Sequence, residues 1–456
     1  MNIPSILTAQ RTFFDAGTTK PVSFRRDALK KLCSSIKRHE RDLEAAFAAD
    51  LHKCPFDVFA TETGIVLDEI SFAIRHLRTW ARTERVPTPL VNFPSRSFLR
   101  KEPYGVALII APWNYPFMLL FGPLVGAIAA GNCVMLKTAP ATPHVSAVIR
   151  RIIESAFDRT YVAVFEGHRD VNEALLRERY DYIFVTGGTV IGRIAMQAAA
   201  KYLTPITLEL GGKSPCIVAP DAAVAVSARR IIWGKLLNAG QSCVAPDYCL
   251  VHRPLIPPLI EAMKHEILRF YGEHPEASKD LCRIVNDEQY GRLKKYLSQG
   301  TIVIGGKCDD STRYIEPTVL VDVPVDAPVM REEIFGPVLP IIPFDDIQET
   351  IDFVRNREKP LALYLFTGST AMERRVLGSV SFGGGCINDT MVHLANPHLP
   401  FGGVGASGMG AYHGKFGFDT FTHVTGILKT TPLIDIPLRY PPYKNTVLRL
   451  LRLIMR

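Results

Sequence analysis

Two residues of this chain combine the chemical type and the surroundings that a reaction needs. Cys243 sits in the short polar stretch Asn238-Ala-Gly-Gln-Ser-Cys-Val-Ala-Pro-Asp247, beside Gly240. A thiol there can be held on a tight loop, whereas a packing cysteine sits inside an apolar periodic run. Glu209 lies in the apolar run Ile206-Thr-Leu-Glu-Leu210. Loss of water around its carboxylate would raise its pKa toward what a general base needs at neutral pH. The pair reads as nucleophile and base.

Other segments could serve that pair, each with a plainer alternative. Phe184-Val-Thr-Gly-Gly-Thr-Val-Ile-Gly192 would join a strand to a helix through glycines. Free N–H groups at a helix start around Gly187, Gly188 and Thr189 favour a phosphate or another anion. The spacing departs from G-x-G-x-x-G, and a tight turn needing Gly187 and Gly192 for close helix–strand contact fits as well. Ala111-Pro-Trp-Asn-Tyr-Pro116 ends a strand, at the edge where open α/β sheets place ligands. Asn114 there can aim an amide N–H at a developing oxyanion, worth about 3–4 kcal/mol in acyl-transfer sites. The alternative is a Pro-bounded turn whose Asn caps its own backbone.

Lys137, directly after Cys133-Val-Met-Leu136, either snorkels into solvent or binds a ribose hydroxyl or phosphate. In Glu332-Glu-Ile-Phe-Gly-Pro337, Glu333 can accept from a ribose and Phe335 can pack on a planar ring; a solvated acidic loop is the competing reading. Pro400-Phe-Gly-Gly-Val-Gly-Ala-Ser-Gly-Met-Gly410 is too glycine-rich for a helix or strand. It reads as a close-packed loop that brings Phe401 to a site, or as a plain connector.

These residues need elements to position them. Leu29, Leu32, Ile36, Leu43 and Phe47 recur at helical steps, which predicts an amphipathic packing helix within residues 24–50. From Val106 onward short apolar runs alternate with helical stretches: strands at Val106–Ala111, Cys133–Leu136, Tyr161–Val164, Tyr182–Thr186 and Ile206, with helices near 119–130, 143–156, 171–179 and 190–200. Such alternation predicts a parallel, doubly wound sheet covered on both faces. A second series follows Gly211-Gly212, with runs at 216–218, 248–251, 301–304, 338–342 and 361–366, and predicts a second α/β domain. Thr83 to Glu102 and Asp419 to Ile427 lean toward isolated strands without a core, an arm suited to pairing with another subunit.

Composition narrows the classes. With 456 residues and 47% hydrophobic content, the chain can build two or three domains of roughly 100–200 residues each. The formal net charge is +8, and residues 429–456 contribute six Lys/Arg against one Asp, so the body is nearly balanced and unlike a nucleic-acid binder. Nine cysteines are scattered without a close Cys-x-x-Cys pair, which argues for reduced thiols in a cytosol and against a disulfide framework or metal site. The first residues lack the basic start and apolar block of a signal peptide, and no apolar stretch reaches the ~18 residues of a spanning helix.

Taken in order, these motifs resemble the aldehyde dehydrogenase superfamily over about residues 5 to 445, and Tyr412-His-Gly-Lys-Phe-Gly-Phe-Asp-Thr-Phe-Thr-His423 is similar to its class 3 branch. The resemblance implies an α/β fold with two doubly wound parallel-sheet domains and a bridging β arm, commonly as a homodimer. It divides the chain into a nucleotide-binding domain (1–82 and 103–210), a catalytic domain (211–395), an arm (83–102 and 396–430) and a tail (431–456). It implies Cys243 as nucleophile, Glu209 as general base, and Asn114 with the Cys243 backbone N–H as oxyanion hole. NAD or NADP would be held by Lys137, Gly187, Gly188, Thr189, Gly192, Glu333, Phe335 and Trp113. One departure stands out: Thr138-Ala-Pro140 occupies a place where many relatives carry a carboxylate that repels a 2′-phosphate, so NADP should be tolerated beside NAD.

The implied reaction is attack of the Cys243 thiolate on an aldehyde, hydride loss to the nicotinamide, and hydrolysis of the resulting thioester by water that Glu209 deprotonates. Transfer of the acyl group to coenzyme A is the rival chemistry, and a catalytically retired binding protein the non-enzymatic rival. Both the nucleophile and the base are present, which favours the first. The class 3 likeness implies medium to long aliphatic or aromatic aldehydes, with Tyr115, Phe401 and Trp233 lining an apolar funnel or merely the core. Near the C-terminus, Arg449, Arg452 and Arg456 fall opposite Val447, Leu450, Leu451 and Ile454, a basic amphipathic helix preceded by a proline-rich linker. Packing on the dimer is the favoured reading; weak peripheral contact with an anionic membrane is the other. The expected location is cytoplasmic.

Overall fold

The computed structural model describes residues 2–455. Two sheets carry the molecule. The first orders Gly408–Met409, Ile206–Glu209, Tyr182–Thr186, Val106–Ile110, Cys133–Lys137 and Val162–Phe165 side by side. Five of these strands are parallel, and only Gly408–Met409 runs antiparallel, pairing Gly408 with Glu209. The parallel strands are buried on both faces except at Ile206, which is why their sequences read as continuous apolar runs rather than alternating ones. The helix Met118–Ala130 crosses behind this sheet. It is buried all round, so its sequence is apolar on every side.

The second sheet orders Thr301–Ile304, Thr318–Val321, Val338–Phe344, Tyr248–His252, Pro215–Val218, Ala362–Phe366 and Gly384–Ile387. All pairings are parallel apart from the antiparallel edge strand Thr301–Ile304. Thr318–Val321 and Gly384–Ile387 were not expected as strands. The first is a largely β-branched run, Thr-Val-Leu-Val, whose strand signal was overlooked; the second begins with two glycines and is only half-buried at the sheet edge, so its β signal is weak. The arm is a three-stranded antiparallel sheet of Glu84–Val86, Arg96–Pro103 and Thr422–Lys429, with Thr422 opposite Pro103 and Lys429 opposite Arg96.

Several sequence expectations need correcting. The helical pattern of residues 24–50 is two helices, Val22–Arg38 and Glu40–Leu51, broken where His39 takes a non-helical backbone. The segment 396–430 belongs to the arm sheet only from Thr422. Before it, Gly408–Met409 joins the first sheet despite its glycines, because the neighbouring strand supplies the pairing that propensity does not. Gly414–Thr420 is a helix packed on Met118–Ala130. Near the C-terminus, the helix Asn445–Ile454 forms with no buried residue, while Arg456 lies outside the described residues. No helix among the described residues is long and apolar enough to cross a membrane. All nine cysteines are free.

Candidate active site

The cysteine loop is built from a backbone that few residues tolerate. After the helix Val224–Leu236, Asn238, Ala239 and Gly240 all take left-handed conformations, at φ of 53°, 52° and 75°. At Gly240 a Cβ would also stand 2.2 Å from the carbonyl oxygen of Gly336, so only glycine fits. Side-chain amides lock this turn. Gln241 Nε2 donates to Asn238 O and to Arg283 O, each at 3.0 Å, and its Oε1 accepts from Val285 N at 3.0 Å. The loop delivers Cys243, half-buried, to the junction of two cavities.

One cavity is lined by Trp113, Asn114, Thr186, Gly187, Gly188, Glu209, Cys243, Arg292, Glu333 and Phe335 among others. Thiol and carboxylate therefore share one space, at the carboxyl ends of the first sheet's strands, where open α/β sheets hold ligands. Asn114 is fixed from the cysteine loop: its Nδ2 donates to Gln241 O at 3.1 Å, and Asn238 Nδ2 donates to Asn114 O at 2.8 Å. Its Oδ1 is buried without a protein partner. The second cavity opens from Cys243 between Tyr115, Met118, Trp233, Leu237, Phe401 and Tyr412. Phe401 is brought there by backbone pairing with Tyr412, at 3.1 and 2.8 Å.

Electrostatics at the junction are dominated by the loss of water. Burial pushes the Glu209 carboxyl well above the usual carboxylate range, and neither of its oxygens has a protein partner. Burial also pushes the Cys243 thiol far up, and charge on Glu333 or Glu209 would push it further; the backbone N–H groups of Cys243 and Val244 pull the other way. The resting thiol therefore needs a proton acceptor, and the nearby carboxylates are the groups that can serve. Burial, then Asp247, raises Glu333 to about 8.

The cofactor expectations divide. Gly187 and Gly188 line the polar cavity, and Gly188 and Thr189 also line a neighbouring cleft that includes Glu333. Gly188 stands at the N-cap of the helix Thr189–Ala200, and a Cβ there would meet nothing within 4 Å, leaving room for a ligand against the helix start. Glu333 Oε1 is buried and unpartnered in the same place, and Trp113 meets Phe335 edge-on at 5.3 Å. These residues fit a nicotinamide dinucleotide: a hydrogen-bond acceptor, a glycine-opened helix start and aromatic rings. Gly192 does not line these cavities; it packs on the neighbouring strand, where a Cβ would meet Leu210 at 2.7 Å. Lys137 neither snorkels nor lines them. It is buried with Nζ donating to Thr138 O at 2.6 Å and Gly167 O at 2.8 Å, and burial lowers it to about 8.

Sequence reasoning missed the residues that hold Glu333 in place. Arg292 donates to Glu333 O at 3.0 Å and Ile334 O at 2.8 Å. Lys213 bonds Asp247, Val329 O and Glu332 O, and Asp247 accepts from Ile334 N at 2.8 Å. Asp247 ends the quoted cysteine stretch and Lys213 follows the Glu209 run directly after Gly211-Gly212, so both could have been found there; nothing in the sequence marks Arg292. Among the described residues, no group of three or more His, Cys, Asp or Glu is arranged to hold a metal ion.

Residues 2–427 match the aldehyde dehydrogenase family. The chain is 49% identical to the 4,4'-diaponeurosporen-aldehyde dehydrogenase of Staphylococcus aureus, covering 95% of each, and 47% identical to human aldehyde dehydrogenase family 3 member B1, covering 98% of this chain and 96% of that one. Its structure is similar to substrate-bound Staphylococcus aureus AldH, at a TM-score of 0.98 and 46% identity with 100% of both chains covered. It is also similar to an NAD+ complex of a Bacillus cereus aldehyde dehydrogenase, at a TM-score of 0.85 and 27% identity over 94% of this chain and 88% of that one. The chain belongs to the aldehyde dehydrogenase family, among its family 3 relatives, and is an NAD(P)-dependent oxidoreductase that converts aldehydes to carboxylic acids.

Proposed function

We propose that Cys243 carries the reaction and that its substrates are medium to long aliphatic or aromatic aldehydes. The single observation behind this is the position of Cys243, at the meeting of an apolar cavity and a polar one that contains Glu209. An aldehyde entering past Trp233 and Phe401 lays its apolar body along the first cavity and its carbonyl against the thiol. Asn114 Nδ2, with the Cys243 N–H, holds the oxygen as it gains charge in the thiohemiacetal. A bound nicotinamide would supply the hydride acceptor for this centre. Glu333, Trp113, Phe335 and the Gly187–Thr189 turn would orient the cofactor, with Lys137 and Gly192 supporting it from behind. Glu209 then takes a proton from the water that attacks the thioester, and the carboxylate departs.

Glu209→Gln tests the scheme. The variant should give a stoichiometric burst of reduced cofactor followed by arrest, because the thioester forms and is not hydrolysed. In the native chain Glu209 must be ionised to act and burial raises its pKa, so the steady-state rate falls as pH is lowered, from a point above the usual carboxylate range. Full turnover by Glu209→Gln, or a burst that needs added coenzyme A for release, would overturn its role.

We read residues 1–82 with 103–210 as the nucleotide-binding domain, 211–395 as the catalytic domain, and the arm sheet as the contact between two copies in a homodimer. The exposed helix Asn445–Ile454 would then pack on that dimer in a cytoplasmic enzyme. Removing residues 431–456 should weaken the dimer in sedimentation. Flotation of the full-length protein with anionic vesicles, lost on truncation, would establish peripheral membrane contact instead.

A further inference from the structure

The loop that carries Asn114 is gripped from two sides, and only one grip involves the cysteine loop. On the far side, Glu62 Oε2 accepts from Met118 N at 2.8 Å, while Oε1 takes the Lys53 ammonium at 3.0 Å. Both side chains are shut off from solvent. Lys53 Nζ also stands 4.4 Å from the centre of the Tyr115 ring and 5.4 Å from that of Phe47. Met118 opens the helix Met118–Ala130, only four residues after Asn114, and its side chain lines the apolar cavity with Tyr115.

Glu62 comes from a five-residue π-helical turn, Phe59–Thr63, set between the helices Pro55–Val58 and Gly64–Trp80. Such turns displace a helix face locally and occur often at functional sites. Here the turn places Ala60 and Thr61 on the wall of the apolar cavity while Glu62 reaches the helix start. A fully buried ion pair is a poor device for stability alone, since apolar groups of the same volume commonly serve as well or better. What this pair does provide is a carboxyl acceptor held rigidly at a helix N-terminus, where an unsatisfied N–H group needs one.

We propose that Lys53 and Glu62 are positioning residues for aldehyde oxidation: by anchoring Met118 they fix how far the Asn114 amide reaches toward the oxygen on Cys243. This rests on the role given to Asn114 above. The test is a mutant cycle in the full-length enzyme, read on the pre-steady-state appearance of reduced nicotinamide. Lys53→Met with Glu62→Leu removes the pair at similar volume. It is expected to slow the burst on the order of tenfold, part of the ~10²-fold that a 1 Å misplacement costs, with thermal midpoint and NAD affinity unchanged. In an Asn114→Ala background the same change should cost less than about twofold, because no amide remains to be misplaced. Lys53→Arg, which preserves the pair, should retain most of the native burst rate.

Equal losses in both backgrounds, or a native burst rate without the pair, would overturn the inference. Glu62→Gln carried through the same cycle makes the same discrimination if the double replacement does not fold. An Asn114→Ala single variant that formed reduced nicotinamide at a near-native rate would instead sink the role given to Asn114, so the two failures are distinguishable.

Discussion

The two cavities that meet at Cys243 are made differently. The apolar one is walled by pieces from distant parts of the chain: the π turn near Ala60, Tyr115 and Met118, Trp233 and Leu237, Met391, and the Phe401–Tyr412 pairing. The polar one lies at the carboxyl end of the first sheet, and its key groups are tied down by neighbours: Asn114 by Asn238 and Gln241, and the backbone of Glu333 by Arg292. The first recognises its ligand by burial, which is graded and tolerant of detail. The second recognises by a few fixed hydrogen-bonding groups, which are strict. If that division governs the reaction, chain length and the reacting group should be read by different rules.

Breaking the strict side should cost the most. Asn114→Ala is expected to slow hydride formation by ~10²–10³-fold, the loss of one oxyanion donor, without weakening NAD binding. A burst slowed by only a few fold would place the oxygen elsewhere. The graded side should respond in smaller, regular steps. From butanal to decanal, kcat/KM should rise about fourfold per methylene, the ~0.8 kcal/mol of a buried CH₂, until the cavity is full. Phe401→Ala should flatten that slope, and a flat native profile would contradict an apolar tunnel.

The smallest effect concerns the cofactor. With Pro140 in place of an acid, NADP should support turnover beside NAD. Pro140→Glu should lower NADP efficiency about fivefold more than NAD efficiency, the ~1 kcal/mol between like charges 4 Å apart in water. NADP efficiency in the native chain below that of NAD by about a thousandfold or more, some 4 kcal/mol, would end this reading.

Strand and helix order in the first sheet was legible because each strand is a continuous apolar run and each helix has its own period. Thr318–Val321 escaped notice although it is a largely β-branched run paired on both sides, and Gly384–Ile387 because a glycine-led edge strand depends on its neighbour for its pairing. Gly408–Met409 escaped for the same reason. The motifs around Cys243, Glu209 and Asn114 were legible as chemistry because a thiol, an acid and an amide stood where packing alone would not choose them. That Gly192 is pressed against Leu210 and that Lys137 is bonded to backbone carbonyls was not legible, because no local pattern marks such contacts. A sequence displays which residue types are present, not which way they point.

By itself, then, the order of residues determined the alternation of strands and helices, which follows from local periodicity, while its motifs, taken in order, pointed to the family and to Cys243 and Glu209 as candidate nucleophile and base. Only the tertiary structure decided that Cys243 faces two cavities, that Arg292 holds the Glu333 loop, and that Lys53 and Glu62 meet beneath Met118. Those are contacts between residues far apart along the chain, and their geometry is set by how the sheets and helices pack rather than by any local pattern.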